Sequence, residues 1–311
     1  MSKKNVILIL SAVVMLVTAF IIKDTTSDAK SVKLAAVPMV DGERVPFVNA
    51  KGFELPTKLY FAGEKVPLED PDVYERLDKE LNVNVYFHSS TIFLIKKSNR
   101  WLDQMKGYLK EEGLPEDLAY IPLIESGFEH VVSPAGAAGY WQLMRTTGRE
   151  FGLEVNDEVD ERYHVEKSTQ AAIKYLKKSY EKFGNWTNVV ASYNIGMAGF
   201  GRRLKDQKVD SYYDLLLNEE TKRYVFRAIA IKEILDDQQK YGFYLPESSL
   251  YYPEKLDSIT VEKSIPNLVD FAIENGITYK TLKRYNPWLR KKTLTIKKAG
   301  QKYTILVPKS S

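Results

Sequence analysis

Between about residue 70 and residue 250 of this 311-residue chain, every sustained apolar pattern recurs at three and four positions and none alternates. That period belongs to amphipathic helices and excludes a sheet core over the span. Helices are expected at 70–81 through Val73, Leu77 and Leu81, and at 98–109 through Trp101, Met105 and Leu109. A third is expected at 167–183, with Ala172, Leu176, Tyr180 and Phe183 on one face and Gly184 as its stop. Two more follow at 186–193 and at 218–235, the latter with Tyr224, Ala228, Ile231 and Leu235 inward. The fold class is therefore mainly α, an orthogonal helical bundle.

The two ends differ from this middle. Residues 258–261 and 303–307 have strand character, and they flank helical patterns at 265–275 and 279–285, giving a small β-α-α-β unit. Residues 30–58 are punctuated by Pro38, Pro46 and Pro56 and carry no sustained period, so they read as a tether or irregular strap. Before them, Lys3 and Lys4 precede the uncharged apolar run 6–22, which forms an export signal. Two outcomes stay open: cleavage after the small residues around Ser27 and Ala29, or retention as a membrane anchor. The domain order is then 1–29 signal or anchor, 30–95 linker and wrapping segment, 96–245 catalytic domain and 250–311 C-terminal module.

The absence of cysteine excludes a disulfide framework, a thiol nucleophile and a lipid-modified N-terminal Cys. The net charge of +4 comes from interleaved Lys, Arg, Asp and Glu. It suits an anionic envelope polymer and forms no basic stripe for nucleic acid. His88, His130 and His164 show no ligand spacing, and the acidic run 156–162 lacks the mid-loop glycine and terminal Glu of a calcium loop, so no metal is expected.

Residues 114–144 concentrate the chemistry. Leu114, Leu118 and Ile121 set a helical approach in which Pro115 can take the first position; Pro122 should kink or loosen the helix ahead of Glu125, and Gly127 turns the chain away. A carboxyl at the end of an apolar helix is partly desolvated, which raises its pKa and suits a general acid. The bland alternative is a Glu that only caps the helix end. The run from Ser133 to Gln142 sets glycines and alanines beside Tyr140 and Trp141, which line a ligand or fill the core. Tyr193 and Asn194, ahead of Gly196, add a phenol and an amide.

Five segments carry a family resemblance: IESGF at 124–128, SPAGAAGYWQLM at 133–144, VDER at 159–162, SYNIG at 192–196 and ETKRYV at 220–225. In this order the chain resembles the family 1 lytic transglycosylases, within them the membrane-bound lytic murein transglycosylase D group, from about residue 61 to residue 239. The resemblance implies a lysozyme-like helical fold of the goose-type and transglycosylase kind. It implies a non-hydrolytic cut between N-acetylmuramic acid and N-acetylglucosamine, with Glu125 as the single acid and base. It places Ser126, Ser133, Gln142, Met144, Tyr193, Asn194 and Glu220 as substrate-binding residues, with Tyr193 orienting Glu125 or steadying the transition state. It implies peptidoglycan strands as partner, membrane association only through a retained N-terminal segment, a monomer, and neither cofactor nor metal. Asp160 and Arg162 become a structural ion pair under the cleft. Residues 267–289 resemble a LysM module, a binder of N-acetylglucosamine-containing glycans, although Lys263–Pro266 replaces the usual Gly-Asp-Thr turn; a module that only packs on the catalytic domain is the alternative. A hydrolytic muramidase and a non-catalytic wall-binding protein are the rival functions.

Overall fold

The structure, a computed structural model, describes residues 51–309 and the backbone pairing of two short strands, β1 (Met39–Val40) and β2 (Glu43–Arg44). The expected export signal and most of the strap lie outside the described residues. Residues 52–311 form one compact unit and the chain before them another.

Within the larger unit, a hairpin of β3 (Tyr60–Phe61) and β4 (Glu64–Lys65) leads into α1 (Pro71–Tyr86). Asp70 caps α1 by accepting from the Asp72 amide, and Pro71 takes the first position, where its missing N–H costs nothing. The residues ahead of it are built into the core: Leu55, Leu59, Phe61 and Val66 are buried. Glu64 accepts from the amides of Trp186 and Thr187, which anchors the hairpin on a later helix start.

Next comes α2 (His88–Glu111), which begins ten residues before the expected 98. Phe87 just before it and His88, Ser89 and Phe93 in its first turns face outward, so only Thr91 and Ile95 signal burial there. After a 3-10 turn at Glu116–Ala119 the short α3 (Tyr120–Ser126) follows. The helix does loosen, but at residues 119–120. Pro122 sits in the first turn of α3, where its lost donor has no acceptor to miss, and so it does not kink the chain before Glu125.

The remaining helices are α4 (Arg145–Glu150), α5 (Val165–Phe183), α6 (Trp186–Ile195), α7 (Met197–Gln207) and α8 (Glu219–Asp236). Gly184 closes α5 in the left-handed conformation, and Asn185 and Asn218 cap α6 and α8 by accepting from the Asn188 and Thr221 amides. Tyr180 leaves the expected inner face of α5 and stacks on Trp186 at 4.2 Å, while Ser179 takes the buried position. α8 is the central helix: it packs on α1, α3 and α6, with Tyr224, Val225, Ala228, Ile231 and Ile234 enclosed.

The C-terminal residues pair β5 (Leu256–Val261) with β6 (Tyr303–Pro308) in antiparallel register, around α9 (Leu268–Glu274) and α10 (Tyr279–Tyr285). α9 starts three residues later than expected because Pro266 precedes it and Asn267 supplies its cap. This unit does not stand alone. Its apolar core includes Ala138, Val159 and Tyr163, the Asp160 amide donates to the Trp288 carbonyl at 2.9 Å, and the Arg290 amide donates to the Glu158 carbonyl at 2.7 Å.

Candidate active site

Glu125 occupies the last turn of α3, where helix-end carbonyls lack partners. Arg227 of α8 donates to the Ile124 carbonyl at 2.7 Å, and the Ser126 hydroxyl donates to the Tyr140 carbonyl at 2.8 Å. Gly127 and Phe128 then both adopt left-handed backbone, at φ 60° and 54°, and turn the chain out. These restraints hold the carboxyl half-buried against a groove of about 1010 Å³, whose other walls come from α1, α2 and α8.

The Tyr224 hydroxyl donates to Oε1 of Glu125 at 2.5 Å. Burial raises the Glu125 pKa, the Tyr224 hydrogen bond and the Arg227 charge pull against that rise, and Glu220 adds to it; the net shift is upward. The groove therefore keeps a proton on Glu125 to higher pH than an exposed Glu would, with a hydroxyl and a guanidinium in place to support the anion once that proton leaves.

The loop facing this acid is tied from behind. The Arg162 guanidinium is clamped to buried Asp160, with Nη2 2.7 Å from Oδ2, and donates to the carbonyls of Gly136 and Leu143. Gly139 has φ 78°, and a Cβ placed there would lie 1.9 Å from the Arg162 carbonyl oxygen, so glycine is needed for the chain to pass. Trp141 is fully buried and donates to Thr169; Tyr140 is buried against His130 and Trp101. Both aromatics are core, and the small residues serve close approach of the chain to itself.

Of the residues named from the sequence, Glu125, Ser126 and Glu220 line the groove together. Asn194 joins them through Glu220, to whose Oε1 it donates at 3.0 Å. Gln142 has φ 46° and spends its side-chain amide on the Gly139 and Val131 carbonyls. The Tyr193 hydroxyl donates to the Trp141 carbonyl at 2.7 Å, so the phenol bonded to Glu125 is Tyr224 and not Tyr193. Ser133 accepts from the Ala137 amide and shapes the loop turn; Met144 immediately precedes α4, 41% exposed, its carbonyl accepting from Gly148. Ser133, Gln142, Met144, Tyr193 and Asn194 are not on the groove wall itself. The acidic run spends its oxygens on protein: Glu158 accepts from Thr295, and Asn156 from the Glu158 and Val159 amides. Among the described residues no cluster of ligating side chains could hold a metal.

In the sequence Tyr224 reads as part of the 220–225 motif and of the inner stripe of α8, with no role at the acid, and Arg227 carries no signal of its own. The available signal was their spacing: 224 and 227 lie one turn apart on the helix that carries Glu220 in its first turn.

Fold and site together define a lysozyme-like helical domain that presents one desolvated carboxylic acid to an open groove. Residues 105–215 match the transglycosylase SLT domain, and residues 257–311 match the soluble lytic transglycosylase C-terminal LysM-like domain. It is 30% identical over 259 residues to membrane-bound lytic murein transglycosylase D of Escherichia coli strain K12, a match covering 80% of this chain and 55% of that protein. It is also 29% identical over 114 residues to a putative tributyltin chloride resistance protein of an Alteromonas species, covering 36% and 55% of the two. The chain thus spans about half the length of these curated relatives. A solved structure, lytic transglycosylase Slt of Pseudomonas aeruginosa in an inactive mutant form, aligns at 21% identity with a TM-score of 0.34, over 50% of this chain and 26% of that one, an overlap too partial to bear on the fold.

Proposed function

We propose that the protein is a peptidoglycan lytic transglycosylase that cuts the β-1,4 bond between N-acetylmuramic acid and N-acetylglucosamine without water. The observation that carries this reading is the half-buried Glu125 of the groove, proton-holding and bonded to Tyr224. Neutral Glu125 gives its proton to the glycosidic oxygen as the bond to the muramoyl C1 breaks. Its carboxylate, steadied by Tyr224 and Arg227, then takes the proton of the muramoyl C6 hydroxyl. That oxygen closes on C1 to give a 1,6-anhydro end, and the proton is back on Glu125, so one carboxyl serves as acid and base in turn. Ser126 and Glu220 offer hydroxyl and carboxylate contacts to the sugars, and Asn194 holds Glu220 in place; Ser133, Gln142, Met144 and Tyr193 shape the neighbouring loop.

Mass spectrometry of fragments released from purified sacculi tests this. The account expects ends lighter than reducing sugars by one water; ends with the full mass of the reducing sugar make the enzyme a hydrolytic muramidase. The glycan substrate places the protein at the bacterial cell envelope, on the periplasmic side, which the basic start and the apolar run 6–22 support. N-terminal sequencing of the mature protein from a membrane fraction tells a cleaved signal from a retained anchor.

A further inference from the structure

The groove that holds Glu125 is longer than the SLT-matched residues account for. One wall is the corner where α1 meets α2, upstream of residue 105 where that match begins. Two phenyl rings stand there in water, Phe87 at 65% exposure and Phe93 at 50%, and both line the same groove as the acid. Exposed large apolar side chains are ordinary when scattered; two within one groove, continuous with a chemical site, are not. Phe87 is also the residue that ends α1 and precedes α2, so the bend between two rigid helices fixes its backbone. Across the groove α8 contributes Glu219, Glu220, Arg223 and Arg227, and Arg223 is braced by buried Glu80 through Oε2 at 3.1 Å.

The corner wall thus carries two exposed phenyl rings, with Asn84, Ser90 and Lys97 beside them, and the facing wall is mainly hydrogen-bonding. A pyranose has that same division, with C–H faces above and below the ring and hydroxyl and amide groups around its rim. The electron-rich face of a phenyl ring packs well against such C–H groups. An extended apolar peptide would leave the charged wall unpaired, and such burial of unpaired charge is costly.

We propose that the α1–α2 corner is an accessory saccharide platform, on which Phe87 and Phe93 stack against pyranose rings of the strand beyond the scissile bond, so that the enzyme favours long glycan strands over short ones. This rests on the reading of the groove as a glycan site. The platform contributes binding only and takes no part in the proton transfers.

Calorimetric titration tests it on the full chain carrying Glu125→Gln, with peptide-free glycan strands sorted by length as the probe. Each of Phe87→Ala and Phe93→Ala is expected to weaken binding of long strands roughly 2- to 10-fold, the range for one aromatic contact. Binding of a single disaccharide is expected to stay unchanged, and Phe87→Trp or Phe93→Trp to restore the long-strand affinity. Equal losses for short and long strands overturn the platform, and so does full affinity in the double Ala variant. Restoration by Leu as complete as by Trp also overturns it, since that would mark a generic apolar contact. If the Glu125→Gln chain binds no strand of any length, the glycan reading and the platform fall together, an outcome distinct from binding that ignores Phe87 and Phe93.

Discussion

Glu125 is held between opposing demands, and each can be moved separately. Burial favours the neutral acid, whereas Tyr224 and Arg227 favour the anion. Replacing Tyr224 by Phe removes a donor to the charged form, so the Glu125 pKa rises further. The alkaline limb of the pH–rate profile should move to higher pH, while the maximal rate falls by roughly 10- to 100-fold, the worth of a hydrogen bond to a charged group. A limb that moves down would mean that Tyr224 does not support the carboxylate. The same shift has a stability consequence. A carboxyl whose pKa is raised by folding stabilises the native state while protonated, and that contribution is lost as pH rises through the folded-state value. Glu125→Gln keeps an acceptor for Tyr224 and cannot ionise, so its melting temperature should gain on the wild type as pH rises from the ordinary carboxyl range through the raised folded-state value. A gap that shrinks with rising pH would contradict the raised value. Glu125 itself was legible from sequence because an acid after Pro-Leu-Ile is flanked by residues that bury it. Its phenolic partner was not, because Tyr193 and Tyr224 each lie among the apolar residues of a helix and only three-dimensional packing decides which hydroxyl reaches the acid.

Among the elements, the loop 131–144 depends most on distant support. Arg162 satisfies Asp160 and two loop carbonyls at once, with both charged side chains buried. Arg162→Ala strands the Asp160 charge and should cost about 3–5 kcal/mol in denaturant unfolding, with Arg162→Lys only partly better because it lacks the planar fork. Gly139→Ala should be comparably damaging, since neither its φ nor the Arg162 carbonyl leaves room for a methyl group. Loss of less than about 1 kcal/mol in both would show that the loop is not held this way. Helix positions were readable wherever an apolar stripe faced one neighbour, as in α5 and α8. The reading failed at the start of α2, where Phe87 just before the helix and Phe93 on it face a groove, and at α7, where Phe200 is the one residue fully buried. A helix with one buried side chain leaves little periodicity to read.

At the scale of the whole molecule, the C-terminal unit is continuous with the helical body that holds Glu125. Its core is completed by Ala138, Val159 and Tyr163, and Tyr303 donates to Glu154 at 2.8 Å. The β-α-α-β order was visible in the sequence, but its fusion to the catalytic domain was not, because edge pairing such as that of Val159 with Leu289 leaves no pattern in either segment. Removing residues 257–311 should therefore lower activity on short soluble fragments as well as on whole sacculi, and make the 131–163 segment sensitive to protease. A module that served only to tether the enzyme to the wall would, when removed, spare activity on the short fragments. The central claim is that one carboxyl carries both proton transfers, and digestion of purified sacculi by Glu125→Gln beside the wild type tests it most directly. The account predicts a rate lower by roughly 100- to 10,000-fold with glycan binding retained; turnover at the wild-type rate would contradict it.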